Sequence, residues 1–187
     1  MTGSDEHGID AARRRALEAL AGRDLLSAEL ESRLARSGGS SSAAATVLAE
    51  LRGSGLLDDH RVARDRVRRW RRDGRSDADI RARLATAGLD DHAIDTALAG
   101  TASATADSTD ADHDPGSSAE AAPEHPPELA AAMTAVGRRG RGLDLSHPDA
   151  VRTLAARLAR AGFEVDTVRA ALRHCGIDDA PLDAATD

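Results

Sequence analysis

Leu84-Ala85-Thr86-Ala87-Gly88-Leu89 returns 74 residues further on as Leu158-Ala159-Arg160-Ala161-Gly162-Phe163. The same offset pairs Ile80 with Leu154, Arg83 with Arg157, Ile94 with Val168 and Leu98 with Leu172. A second offset, of 50, pairs Leu30 with Ile80, Arg33 with Arg83, Leu34 with Leu84, Gly38 with Gly88 and Leu48 with Leu98. The offsets differ by 24 residues, close to the length of a Pro- and Asp-rich stretch that precedes the third copy. Three units of about fifty residues each are expected, each built as a helix, a short break, a helix ending in Gly, and another helix.

Composition agrees with helices. Ala, Leu and Arg are strong helix formers, whereas aromatics are reduced to Trp70 and Phe163. The expected fold is all-α, an elongated array of three tandem three-helix repeats. Leu, Val, Ile and Ala bury modest area per residue, so each unit alone is marginal and its neighbours must support it. The expected boundaries are a disordered N-terminus at 1–10, helical repeats at 11–53, 54–99 and 128–178, and a loose tail at 179–187. The segment 100–127 contains Pro115, Pro123, Pro126 and Pro127 and almost no apolar anchor, and is expected to be a disordered linker. Ser27, Asp58 or Asp59, Ser76 and Asp90 are expected to open helices, as N-caps do. Pro148 suits a first turn, and the run Gly137-Arg138-Arg139-Gly140-Arg141-Gly142 is expected to break a helix.

The net charge is −7, but its distribution is uneven. All 25 basic residues are Arg, which a GC-rich genome explains as readily as function does. Eight of them lie between Arg61 and Arg75 against Asp65 and Asp73, while Thr101 to Glu128 holds seven acids and no Arg. On a helix turning about 100° per residue, Arg61, Arg64, Arg68, Arg71 and Arg72 share an arc of about 100°. Val62, Ala63, Val67 and Trp70 fall on the other side, with Trp70 expected in the core. Guanidinium groups stay charged and bind phosphates and carboxylates bidentately. Arg61, Arg64, Arg68, Arg71, Arg72 and Arg75 are therefore the candidate contacts to an anionic partner. Like charges at Arg64, Arg68 and Arg72 disfavour the isolated helix slightly, and a solvated face is the competing explanation. Arg13-Arg14-Arg15 reads as a solvated face. Arg138, Arg139 and Arg141 read equally as a functional basic loop or as plain surface.

Enzymatic signatures are missing from the sequence. Cys175 is the single cysteine, which excludes an internal disulfide and a CxxC site. His174-Cys175 has no third ligand nearby in sequence, and zinc takes three or four. The Gly-Arg run follows no strand and lacks the Gly-Lys-Ser/Thr of a phosphate loop. No cofactor or metal is expected, and neither a signal sequence nor a membrane span is visible, so a cytoplasmic location is expected.

One segment carries a family resemblance. Gly55-Leu56-Leu57-Asp58-Asp59-His60-Arg61-Val62-Ala63-Arg64 resembles the RecX family's Gly-Tyr-hydrophobic-Asp-Asp-x-x-Phe-Ala, at the entry to the second repeat. Ser27-Ala-Glu29-Leu30-Glu-Ser-Arg33-Leu34 resembles the Ser-x-x-Glu-Leu-x-x-Arg-Leu helix upstream. Downstream, Gly74-Arg75-Ser76 with Ile80-Arg-Ala-Arg83-Leu84 and Gly88 resembles Gly-x-x-x-Ile-x-x-Glu-Leu-x-x-x-Gly. The likeness spans Ala11 to Ala99, and more weakly Leu129 to Gly176. Leu56 and Val62 replace aromatics, which implies a repacked core; Arg83 replaces a common acid, and the long linker is atypical. The resemblance implies a monomeric, non-enzymatic regulator. It would bind the RecA filament, with the backbone of single-stranded DNA as a further implied contact, and inhibit RecA's ATPase and strand exchange in DNA repair and recombination. The alternative is a helix-turn-helix transcription regulator. Against that stand the acidic starts Asp90-Asp91 and Glu164-Val165-Asp166 of the helices after Gly88 and Gly162.

Overall fold

The structure is a computed structural model describing residues 3–100 and 125–185. Among the described residues the chain is all-helical and contains no strand. The helices are α1 (Gly3–Gly22), α2 (Ser27–Arg36), α3 (Ser41–Gly53), α4 (Asp59–Arg72), α5 (Asp77–Thr86), α6 (Asp91–Gly100), α7 (Pro127–Arg139), α8 (Pro148–Arg160) and α9 (Val165–His174). A 3-10 segment, Ala180–Ala185, follows. The chain divides into one compact unit of Met1–Arg66 with Arg83–Ala97, and a second of Val67–Ala82 with Leu98–Asp187. The expected linker falls, for residues 101–124, outside the described residues.

In the first unit α1 packs on α2 and α3. Ala12, Ala16 and Ala19 form its buried stripe, and the core continues with Leu30 and Leu34 of α2 and Val47, Leu48 and Leu51 of α3. Small side chains on α1 let the helix axes approach closely. α1 starts at Gly3, inside the segment expected to be disordered, and Ile9 packs against this core. Ser27 is not the N-cap of α2. Leu26 occupies that position, and the Glu29 side chain accepts its N–H at 2.9 Å. Ser27 is instead buried at the first helical position.

In the second unit α7 packs on α8 and α9, with Ala131, Ala135 and Val136 against Leu154, Leu158 and Leu172. α7 ends inside the Gly-Arg run, as expected, but at Gly140, having run through Gly137 to Arg139. Packing of Ala135 and Val136 carries the helix through one unfavourable residue, which costs only about 1 kcal/mol. Within the segment expected to be a loose tail, residues 179–182 make contacts with the helices. Leu182 packs against the core, Asp179 accepts a hydrogen bond from Arg173 at 2.9 Å, and the Pro181 carbonyl accepts one from Arg152 at 3.2 Å.

The sequence repeat has a geometric counterpart inside each unit. Gly88, at φ +93°, lies so close to α2 that an added Cβ would stand 2.5 Å from the Ala28 Cβ. Gly162, at φ +87°, lies so close to the start of α5 that an added Cβ would stand 3.1 Å from the Ala78 Cβ and 2.8 Å from the Ser76 hydroxyl. Ala28 and Ala78 are 50 residues apart and Gly88 and Gly162 are 74 apart, the two offsets of the repeat. Ser76 caps α5 by accepting the Asp79 N–H at 3.2 Å, and donates to the Ala161 carbonyl at 2.6 Å.

Candidate interaction surface on the arginine-rich helix

The two aspartates that open α4 do different work. Asp58 is the cap, its carboxylate accepting the Arg61 N–H at 2.9 Å. Asp59, in the first turn, accepts the Ser27 N–H at 2.7 Å and so ties α4 to the N-terminus of α2, beside the Glu29 bond to the Leu26 N–H. Leu57 is buried beside them, whereas Leu56 is 57% exposed. Substituting Leu for the aromatic at position 56 therefore leaves no core to refill. Val62 is the buried replacement.

The six candidate arginines do not share one environment. Arg64, Arg68 and Arg72 are exposed along α4. Arg61 is exposed too, and pairs with Asp24 at 2.8 Å and Asp65 at 3.6 Å. Arg75 is half-buried and pairs with Asp79 at 3.0 Å. Arg71 departs from the expectation of a surface contact, because it is only 8% exposed. Its Nε and Nη2 donate to the two oxygens of Asp77 at 2.8 and 2.6 Å, and its Nη1 donates to the Leu98 carbonyl at 3.2 Å. The physical reason lies in its phase: Arg71 sits at the edge of the arginine arc, about 40° from Val67, and packing draws it inward. Glu128 adjoins this pair, and burial together with the charge of Asp77 pushes its carboxyl above the ordinary range. Trp70, expected in the core, is half-buried.

Arg66 is the residue that the charge pattern hid. It falls among Val62 and Ala63 on the apolar side of α4, where a charge is tolerated only if it is paired. It is, with Nη1 and Nη2 donating to the two Glu29 oxygens at 2.9 and 2.6 Å. Burial raises the Glu29 carboxyl, but the Arg66 hydrogen bonds, the Leu26 N–H and the Arg66 charge together hold it below the usual range. A depressed carboxylate stabilises the fold fully above its unfolded pKa, about 4.3, and this stabilisation is lost as pH falls through the lower folded value. Glu29→Gln is therefore expected to cost about 1–2 kcal/mol at pH 7 and to match the parent chain once the pH lies below the folded pKa. Urea unfolding at pH 7 and across pH 4 to 2 measures this, and a pH-independent difference would rule the ion pair out as its source.

Elsewhere, His174 lies edge-on to His125 with ring centroids 4.6 Å apart, and burial raises the Cys175 thiol. No group of three potential metal ligands occurs among the described residues.

No family model and no curated protein matches the chain. Among solved structures the fold matches the crystal structure of regulatory protein RecX, at 18% identity and a TM-score of 0.65, over 88% of this chain and 71% of that one. The chain thus has an all-helical fold of the RecX kind.

Proposed function

We propose that the chain binds the RecA nucleoprotein filament and inhibits RecA's ATPase and strand exchange in DNA repair and recombination. The fold shared with regulatory protein RecX over 88% of the chain carries this reading. The Asp58-Asp59 segment supports it, since both aspartates perform structural tasks at the entry to α4. The exposed Arg64, Arg68 and Arg72 are the contact we assign to carboxylates of the filament surface or to the DNA backbone, with Arg61 at the end of the row. Arg71 and Arg75 serve this surface by holding the turn between α4 and α5 through Asp77 and Asp79. We read the chain as three tandem units, on the strength of the two Gly–Ala contacts at the repeat offsets. Among the described residues no helix is long and apolar enough to cross a membrane.

The triple variant Arg64→Glu/Arg68→Glu/Arg72→Glu is expected to lose filament binding by roughly tenfold to a hundredfold while remaining folded. Co-sedimentation with preformed RecA filaments measures the binding, and RecA ATPase inhibition gives the functional readout. Undiminished inhibition by the variant would remove α4 from the interface. Sequence-selective binding to duplex DNA without RecA would instead favour a transcription regulator, which Asp91 and Asp166 in the first turns of α6 and α9 oppose.

A further inference from the structure

A second concentration of positive charge in the second unit lies where α7 and α8 end. Arg138, Arg139, Arg141, Arg157 and Arg160 line one hollow of about 390 Å3. An adjoining hollow of about 280 Å3 shares Arg139 and Arg160 and adds Arg75 and Asp79. We propose that these hollows form a binding site for a compact polyphosphate anion.

Neutralising helix ends is the ordinary use of such arginines, and it accounts for part of the set. α7 ends at Arg139 and α8 at Arg160, and each C-terminus presents about half a negative charge. Arg157 donates to the Arg139 carbonyl at 3.0 Å and Arg160 to the Ala156 carbonyl at 3.1 Å. Arg138 donates to the Asp73 carbonyl at 2.7 Å and lies 3.6 Å from its carboxylate. Each bond uses one of five donors on a guanidinium. Among the described residues, the six guanidiniums that line the hollows meet the carboxylates of Asp73 and Asp79, and two helix ends worth about one charge together. Positive charge is left over after these structural uses.

Two donors are also left without acceptors. Arg139 Nη1 and Arg75 Nε are buried and make no hydrogen bond. Orphan donors on charged groups are costly, and an oxyanion that reorders these side chains would relieve them. The lining distinguishes the ligand. Beyond arginine and Asp79 the walls offer only Ala161 and Gly162, so no aromatic surface is present to stack a base. Guanidiniums that converge on a shared hollow suit several phosphates on one small molecule better than phosphates spaced along a strand.

Isothermal titration of the full chain with sodium tripolyphosphate, ATP and AMP, at an ionic strength matched with sodium sulfate, tests the site. Tripolyphosphate is expected to bind one-to-one, at least tenfold tighter than AMP. ATP binding as tightly as tripolyphosphate would identify the recognised group as a triphosphate tail, and tripolyphosphate binding alone would identify it as inorganic polyphosphate. Arg157→Gln is expected to weaken binding at least tenfold. Because Arg157 also caps α7, Arg141→Glu, on an exposed loop residue, provides a second variant that leaves the fold intact, with the same expected loss. The proposal is overturned if tripolyphosphate binds no better than sulfate, or if both variants bind like the parent. It is equally overturned if oligothymidylates of 12 and 36 nucleotides bind with affinity rising with length and are not displaced by tripolyphosphate, which would indicate a nucleic-acid track.

Discussion

Arg71→Ala is expected to destabilise the protein by about 3 kcal/mol, at the lower end of what breaking a buried ion pair costs because one partner is partly wet. The Arg71 side chain is 9% exposed and that of Asp77 27%. Removing the guanidinium strands the Asp77 carboxylate and takes a donor from the Leu98 carbonyl, beside a Glu128 carboxyl already pushed upward by burial and by Asp77. Lysine is a poor substitute, because a single ammonium cannot reproduce two parallel bonds to a carboxylate and a third to a carbonyl. Arg71→Lys should therefore recover less than half of the loss. Replacing both partners, as Arg71→Met/Asp77→Ala, should recover most of it, since much of the penalty is the charge left unpaired. Urea unfolding of the three variants measures the series. A cost below about 1 kcal/mol for Arg71→Ala, typical of an exposed pair, would mean that Arg71 belongs to the surface after all.

Gly74→Ala is expected to cost a similar amount for a different reason. Gly74 has φ +71°, and a Cβ there would stand 2.9 Å from the Ala135 nitrogen, 3.2 Å from its Cα and 3.3 Å from the Ala131 carbonyl oxygen. All three are backbone atoms of α7, so no side chain can rotate away. The left-handed conformation costs an L-residue about 1–2 kcal/mol, and overpacking adds about 1–3 kcal/mol. Gly55 supplies the control, with φ +72° and open space where its Cβ would go. Gly55→Ala should show the conformational cost alone, roughly 1–2 kcal/mol. Equal losses in the two variants, read from urea midpoints, would show that the close approach of Gly74 to α7 contributes nothing.

Local signals carried much of the architecture. The apolar spacing and terminal glycines predict the helices of each unit, and Gly38, Gly88 and Gly162 all have the positive φ of a helix stop. Tertiary contacts decided the remainder. Ser27 and Ser76 look alike in sequence, yet only Ser76 caps its helix; Glu29 reaches back to the Leu26 N–H and displaces Ser27 from that role. Arg66 and Arg71 are two of eight arginines in one run, and their exceptional positions depend on Glu29 and Asp77, carboxylates on other helices. Helical phase gave a hint at Arg66, placing it among apolar neighbours, but no local signal marked its partner. The hollow at the ends of α7 and α8 was legible only as a basic Gly-Arg run. Arg157 and Arg160 join it through packing of α8 beside α7, which a sequence read along one helix cannot display.

The seating of Gly88 on Ala28 and of Gly162 on Ala78 has a consequence for how such a chain can vary. Each seat is a pair of the two smallest side chains, so its tolerance is less than a single methyl group. Enlarging either member is equivalent to enlarging the other, and the two positions are constrained as one. The stretch of chain separating seat from seat is under no such constraint, since 24 additional residues pass between the second and third copies while the same two residue types meet at the same stations. Length can therefore drift freely where side-chain volume cannot.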